Sequence, residues 1–202
     1  MRVCLLGGTF DPPHWGHVIL AETLRSHFEL EKFIFIPAYI PPHKQDRTIS
    51  DATHRIEMLE IITGDNPYFS LDTCEIDREG VSYTIDTIRE MKNRESLKSD
   101  EIGFLIGSDN YQELHKWKNA DQLVEECQIV VAKRPDYPLE SDKKYEGKVT
   151  FVNLPRVEIS SSRIRERVQK GESIKYYVLP VIEEYIYAHN LYSGEAVKVV
   201  EK

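Results

Sequence analysis

Two histidines three residues apart, His14 and His17, sit in the string Gly7-Gly8-Thr9-Phe10-Asp11-Pro12-Pro13-His14-Trp15-Gly16-His17. Side chains at that spacing share one face of a helical turn. Ahead of them the apolar run of residues 3–6 reads as a buried strand that ends in two glycines. Beyond them residues 18–30 carry the apolar period of a helix. A strand, a glycine turn and a helix N-terminus together make an anion site: the first N–H groups of a helix lack intrahelical partners, and its dipole favours negative charge there. The chemistry this implies is the handling of phosphates. Gly-Gly after a strand is by itself usually only a turn, and His-x-x-His by itself usually a surface or core pair. The complete string is far more specific.

Five further segments carry suitable residue types. Pro37-Ala38-Tyr39-Ile40-Pro41-Pro42-His43-Lys44 is a proline-stiffened loop ending in a point charge suited to a phosphate. Gly80-Val81-Ser82-Tyr83-Thr84-Ile85-Asp86-Thr87 places Ser82 or Thr84 at a helix start, as a cap or as part of an anion-binding terminus. Gly107-Ser108-Asp109 is followed by His115-Lys116-Trp117, where Trp117 belongs to no apolar stripe and is available to stack on a ring. Lys133-Arg134-Pro135 follows an apolar strand. In Ile159-Ser160-Ser161-Ser162-Arg163-Ile164-Arg165, Ser160 reads as a helix cap, with Ser161 and Ser162 in the first turn and Arg165 adding a planar charged fork. Taken singly, each reads as an ordinary loop, cap or exposed charge.

The elements that must position these residues alternate between strand and helix. Strands are expected at 33–36, 70–76, 102–106, 128–132 and 149–152, besides the first. Helices are expected at 53–62 (capped by Asp51), 84–91 and onward, 120–126, 161–170 and 179–189. Residues 133–148 read as a mobile loop near the site, and 194 onward as a frayed tail. The alternation predicts an α/β protein: a Rossmann-like, doubly wound parallel sheet with helices on both faces, formed by one domain over residues 1–202. Ligands then bind beyond the strands' carboxyl ends, where Gly7, Gly8 and Gly107 lie.

The net charge of −8 argues against a general nucleic-acid binder, yet leaves room for a local positive pocket built from Lys44, Arg55, Arg134, Arg163 or Arg165. Three widely spaced cysteines, Cys4, Cys74 and Cys127, read as small core residues in a reducing compartment. The short first apolar run is not a signal peptide, and no stretch approaches membrane-spanning length, so a cytoplasmic protein without membrane or nucleic-acid partners is expected.

The six segments in this order resemble the bacterial nicotinate-nucleotide adenylyltransferases, within the nucleotidyltransferase superfamily marked by T/H-x-G-H. The likeness runs from Arg2 to about Tyr192; one departure is Ser162, where the family often has Thr. It implies transfer of AMP from ATP to nicotinate mononucleotide, giving nicotinate adenine dinucleotide and pyrophosphate in NAD synthesis. Mg²⁺ would be held mainly through ATP phosphates, with no protein metal ligand assigned. By the resemblance, the catalytic residues are His14, His17 and Arg165. The ATP site adds Gly7, Gly8, Thr9, Phe10, Gly107, Asp109, Arg134, Ser161 and Ser162. The mononucleotide site is Asp11, Lys44, Thr84 and Trp117, with Lys44 near the phosphate, Trp117 on the pyridine ring and Thr84 near the ring carboxylate. Three alternatives stay open: the same reaction with nicotinamide mononucleotide preferred, a non-catalytic nucleotide sensor on the same fold, and a fragment of a class I aminoacyl-tRNA synthetase. The oligomeric state is open too, a homo-oligomer included.

Overall fold

The computed structural model describes residues 1–41, 49–133, 144–145, 147–155 and 157–194. Apolar runs form the inner strands, which are largely buried on both faces as in parallel sheets, while the two edge strands are only partly buried. The strands are β1 (Val3–Gly8), β2 (Lys32–Pro37), β3 (Phe69–Leu71), β4 (Ile102–Gly107), β5 (Gln128–Lys133) and β6 (Val149–Asn153). They make one parallel sheet in the order β3-β2-β1-β4-β5-β6. The order reverses between β1 and β4, and that switch point is where such sheets bind ligands.

The helices are α1 (Trp15–Phe28), α2 (Ala52–Gly64), α3 (Cys74–Arg78), α4 (Thr84–Glu95), α5 (Ser108–Gln112), α6 (Ala120–Glu126), α7 (Ser161–Gln169) and α8 (Pro180–Ala188), with a 3₁₀ turn at Leu114–Lys116. Side chains alternate along each strand, so the sheet feeds two cores. Leu5, Ile34, Ile106 and Val131 pack with Ile85, Ile88 and Met91 of α4 and Leu123 of α6. Cys4, Phe33, Phe35 and Val130 face the other way, onto Leu24 of α1, Met58, Leu59 and Ile62 of α2, Ile164 of α7, and Ile182 and Ile186 of α8. Cys4, Cys74 and Cys127 are buried and free, and burial pushes the Cys127 thiol up to about 12.

Several boundaries differ from expectation. α1 begins at Trp15 and stops at Phe28, because Glu29 turns left-handed (φ 52°) and donates its N–H to the Arg25 carbonyl. The expected strand at 70–76 ends at Leu71. Asp72 accepts from the Cys74 N–H at 3.0 Å and Thr73 donates to Asp77 at 2.8 Å, so local side-chain bonds turn the chain into α3. α5 and the 3₁₀ turn were not foreseen, since Ser108–Gln112 is polar and without an apolar period. Most of the 133–148 loop and the tail beyond 194 lie outside the described residues.

Candidate active site

The pairing register opens the sheet at the switch point. β1 pairs with β2 as far as Gly8↔Pro37, but with β4 only as far as Leu5↔Phe104. β4 meanwhile stays on β5 as far as Gly107↔Ala132. The carboxyl ends of β1 and β4 therefore part, and two cavities meet in the gap. One, of about 820 Å³, is lined by residues of the β1–α1 loop, Gly107, Asp109 and the start of α7. The other, of about 290 Å³, is lined by Ser82, Tyr83, Thr84, Trp117 and Phe104 among others. Gly8, Thr9, Leu105, Ile106 and Asn110 border both.

The β1–α1 loop owes its shape to close packing. Phe10 is buried and left-handed (φ 51°), with its ring edge-on to Phe35 and to His17. A Cβ at Gly8 would come within 3.0–3.2 Å of that ring. His14 caps α1, and its backbone N–H donates to His17 Nδ1 at 3.2 Å. The two imidazoles stack with centroids 3.7 Å apart. A Cβ at Gly16 would sit 3.0 Å from the His14 ring, so the glycine between the histidines makes room for the first of them. Because His17 Nδ1 accepts, the neutral ring carries its proton on Nε2.

His14 is 5% exposed, and its Nδ1 is buried without a hydrogen-bond partner among the described residues. Burial pushes its pKa down to about 4, so the ring is neutral at pH 7. In the unfolded chain it titrates near 6.5. Between those values the unfolded state holds the extra proton, so the folded state loses stability as pH falls from about 6.5 to about 4. The loss attributable to this ring is at most about 3 kcal/mol, the free energy of a shift of that size. Urea unfolding of the wild type and His14→Gln at pH 7 and pH 5 checks this. The wild type should lose more stability than the variant; equal losses would contradict a buried neutral His14.

Arg165, in the second turn of α7, donates Nη1 to the Asp11 carbonyl at 2.6 Å and Nη2 to Ser162 Oγ at 3.4 Å. Ser160 caps α7 by accepting from the Arg163 N–H at 3.3 Å, as its position in the sequence implied, and Ser161 Oγ donates to the Pro12 carbonyl at 2.8 Å. The start of α7 is thus tied to the histidine loop across the larger cavity.

Asp11 is buried. It accepts from Tyr192 Oη at 2.7 Å and from the Ser50 N–H at 3.3 Å, and its carboxylate lies 4.0 Å from Arg165. It borders the larger cavity, beside the histidines, and not the smaller one that holds Thr84 and Trp117. Arg55, one of the cations considered for a phosphate, is 2% exposed and consumed by the carbonyls of Ser50, Thr9 and Ala38 at 2.8–3.2 Å. It is a fastener of the loop, and burial lowers its pKa.

In the smaller cavity α4 starts at Thr84, with its N-terminus facing the space. Ser82 is not the helix cap: its Oγ accepts from the Tyr39 N–H at 3.0 Å, tying the α4 entry to the loop after β2. Trp117 is half-buried, edge-on to Phe104, and its Nε1 has no partner among the described residues. The neighbouring Lys118 bonds Asp86 at 2.8 Å and lies over the Tyr83 ring, which holds the tryptophan loop against α4. Lys44 and Arg134 lie outside the described residues.

One residue of this cavity escaped the sequence. Glu75 is 4% exposed and accepts from Thr87 Oγ1 at 2.6 Å, and Thr87 accepts from Arg78 at 2.9 Å. Burial raises its pKa, against the opposing effect of bonds from Thr87 and Ser82. Alternation in a strand would have put Glu75 opposite its apolar neighbours; the α3 turn carries it inward.

A split parallel sheet with histidines at the first helix start and a cationic second helix start defines an α/β protein built to hold phosphates at its switch point. Comparison narrows this. A family model described as cytidylyltransferase-like matches residues 5–167. A probable nicotinate-nucleotide adenylyltransferase of Thermoanaerobacter sp. is 44% identical, with 96% of each chain covered, and one of Moorella thermoacetica is 40% identical over 100% of this chain and 96% of the relative. Among solved structures, the Plasmodium falciparum nicotinic acid mononucleotide adenylyltransferase complexed with NaAD shares the fold at a TM-score of 0.77, with 23% identity over 95% of this chain and 97% of that one. The chain belongs to the nicotinate-nucleotide adenylyltransferases of the cytidylyltransferase-like family.

Proposed function

We propose that this enzyme joins ATP and nicotinate mononucleotide across the gap between β1 and β4. The observation that carries the reading is the meeting of two unlike cavities at Gly8 and Thr9. The larger has the donors for a triphosphate: His14, His17, Ser161, Ser162 and Arg165. Adenosine lies toward Gly107 and Asp109, and Arg134 is assigned to it by the sequence resemblance alone. The smaller has an aromatic face, Trp117, and a helix N-terminus, at Thr84, for a ring bearing a carboxylate; Lys44 takes the mononucleotide phosphate. Asp11 acts through its hold on Arg165 and Tyr192, and not through the pyridine nucleotide. All of this lies within one domain.

The attacking group is a phosphate monoester with a second pKa of about 6, so it is mostly dianionic at neutral pH and needs no strong base. One of its oxygens bonds to the α-phosphorus of ATP as the bond from that phosphorus to the bridging oxygen breaks, and pyrophosphate leaves. The barrier is anion–anion repulsion and alignment, which positioned donors lower. His14 and His17 donate to the α-phosphoryl and leaving oxygens, and Arg165 shares the charge of the leaving pyrophosphate. No nucleophilic side chain is required.

ATP enters as its Mg²⁺ complex. The donor set fits an ion carried by the nucleotide: Asp11 is already engaged, and the cluster of His and Glu ligand atoms among the described residues lies elsewhere, around His54. When bound, the ion would supply charge neutralisation at the phosphate oxygens. No helix among the described residues is long and apolar enough to cross a membrane, and we place the enzyme in the cytoplasm with its small-molecule substrates.

Trp117→Ala tests the assignment of the two cavities. Loss of a stacked ring, worth about 1–3 kcal/mol, should weaken nicotinate mononucleotide about tenfold or more and ATP by less than about twofold. Equal losses for both ligands in calorimetric titration would contradict it.

A further inference from the structure

Where α2 meets the end of α8, and outside the lining of both cavities, His54, Glu57 and His189 each present a ligand atom within 4.8 Å of the others. His54 and Glu57 are one turn apart on α2, and His189 directly follows α8. The Tyr185 hydroxyl lies among them. It is 2.7 Å from His54 Nδ1 and donates to Glu57 Oε2, so it holds the two groups together in the absence of an ion and swings aside for an ion to take both. The Tyr185 ring stacks on His189 at 4.1 Å and holds its plane. His189 Nδ1 is 3.0 Å from the Tyr185 carbonyl. A carbonyl only accepts, so Nδ1 carries the proton and Nε2 keeps its lone pair. Metal-bound histidines are commonly set in this way, with the second ring nitrogen donating to a carbonyl.

We propose that His54, Glu57 and His189 form a binding site for a divalent transition metal of the zinc class, fastening the end of α8 to α2. Two imidazoles and a carboxylate are an established donor set for zinc, with a fourth position left for water. Bonds of about 2.1 Å put tetrahedral ligands about 3.4 Å apart, so small side-chain rotations close the present spacing. The consequence reaches the reaction centre by two short paths. Arg55, next to His54, grips the Thr9 carbonyl, and Tyr192, three residues past His189, bonds Asp11. A metal joining α2 to α8 therefore secures both anchors of the histidine loop.

The test is calorimetric titration of chelator-treated full-length enzyme with Zn²⁺, alongside His54→Ala/His189→Ala and Tyr185→Phe. The wild type is expected to bind one Zn²⁺ per chain at about 10 µM or tighter, with a rise in melting temperature. The double variant should lose that equivalent by about 100-fold or more, at or beyond the 10–100-fold range for losing an outer partner alone. Tyr185→Phe, which keeps the three ligands, should retain it. Should the double variant not fold, Glu57→Gln serves for the same comparison. Wild-type affinity weaker than about 100 µM, or equal binding by the ligand variants, overturns the proposal and leaves the cluster a hydrogen-bonded tie between two helices.

Discussion

Replacing His17 by alanine is expected to lower kcat by about 10²-fold or more, with the KM for ATP changing far less, the signature of a donor that acts mainly in the transition state. The ring is not loosely held. Its Nδ1 accepts from the His14 N–H, its face stacks on His14, and Phe10 meets it edge-on. Those contacts fix the tautomer that leaves Nε2–H as a donor, and they set it in place before substrate arrives. Positioning of this kind gives a hydrogen bond its catalytic value, since nothing need reorganise as charge develops. Steady-state kinetics on a folded variant, checked by circular dichroism, measures the effect. A turnover close to wild type would remove His17 from the reaction.

Arg165→Ala is expected to cost about 10²-fold in kcat/KM, on the scale of a lost hydrogen bond to a charged group at about 1.5–3 kcal/mol. Arg165→Lys should recover less than about tenfold of it. A lysine keeps the charge, but it cannot bond the Asp11 carbonyl and Ser162 while also presenting a planar fork to a phosphate. The same kinetics decides the matter. Full rescue by lysine would mean that only charge counts there, and an unimpaired alanine variant would place the triphosphate elsewhere.

Much of the fold could be read from local pattern because its cause is local. The β1 run, the two glycines and the apolar period of α1 each follow from neighbours in the chain, as do the caps at Asp51 and Ser160. What was hidden depends on distant partners. Arg55 has the composition of a phosphate ligand, and only the carbonyls of Thr9 and Ala38 reveal it as a fastener. Asp11 stands inside the most specific motif, yet its carboxylate answers to Tyr192, at the far end of the chain. Glu75 was obscured by a misread strand, because the Asp72 and Thr73 side chains turn the backbone before the alternation can continue. The sheet order and the parting of β1 from β4, which create the two cavities, have no local signature at all.

On the proposed reading, the cavity at Trp117 and the α4 N-terminus selects a pyridine nucleotide carrying a carboxylate, for attack on ATP in the cavity next to it. The most direct test is pyrophosphate release from ATP and Mg²⁺ with nicotinate mononucleotide, nicotinamide mononucleotide and phosphopantetheine in parallel. Release with the nicotinate substrate should exceed that with the amide by at least about tenfold, or roughly 1.4 kcal/mol of discrimination, with none from phosphopantetheine. Equal rates with the two mononucleotides would contradict the carboxylate site, and no release with any of them while ATP still binds would contradict the reaction itself.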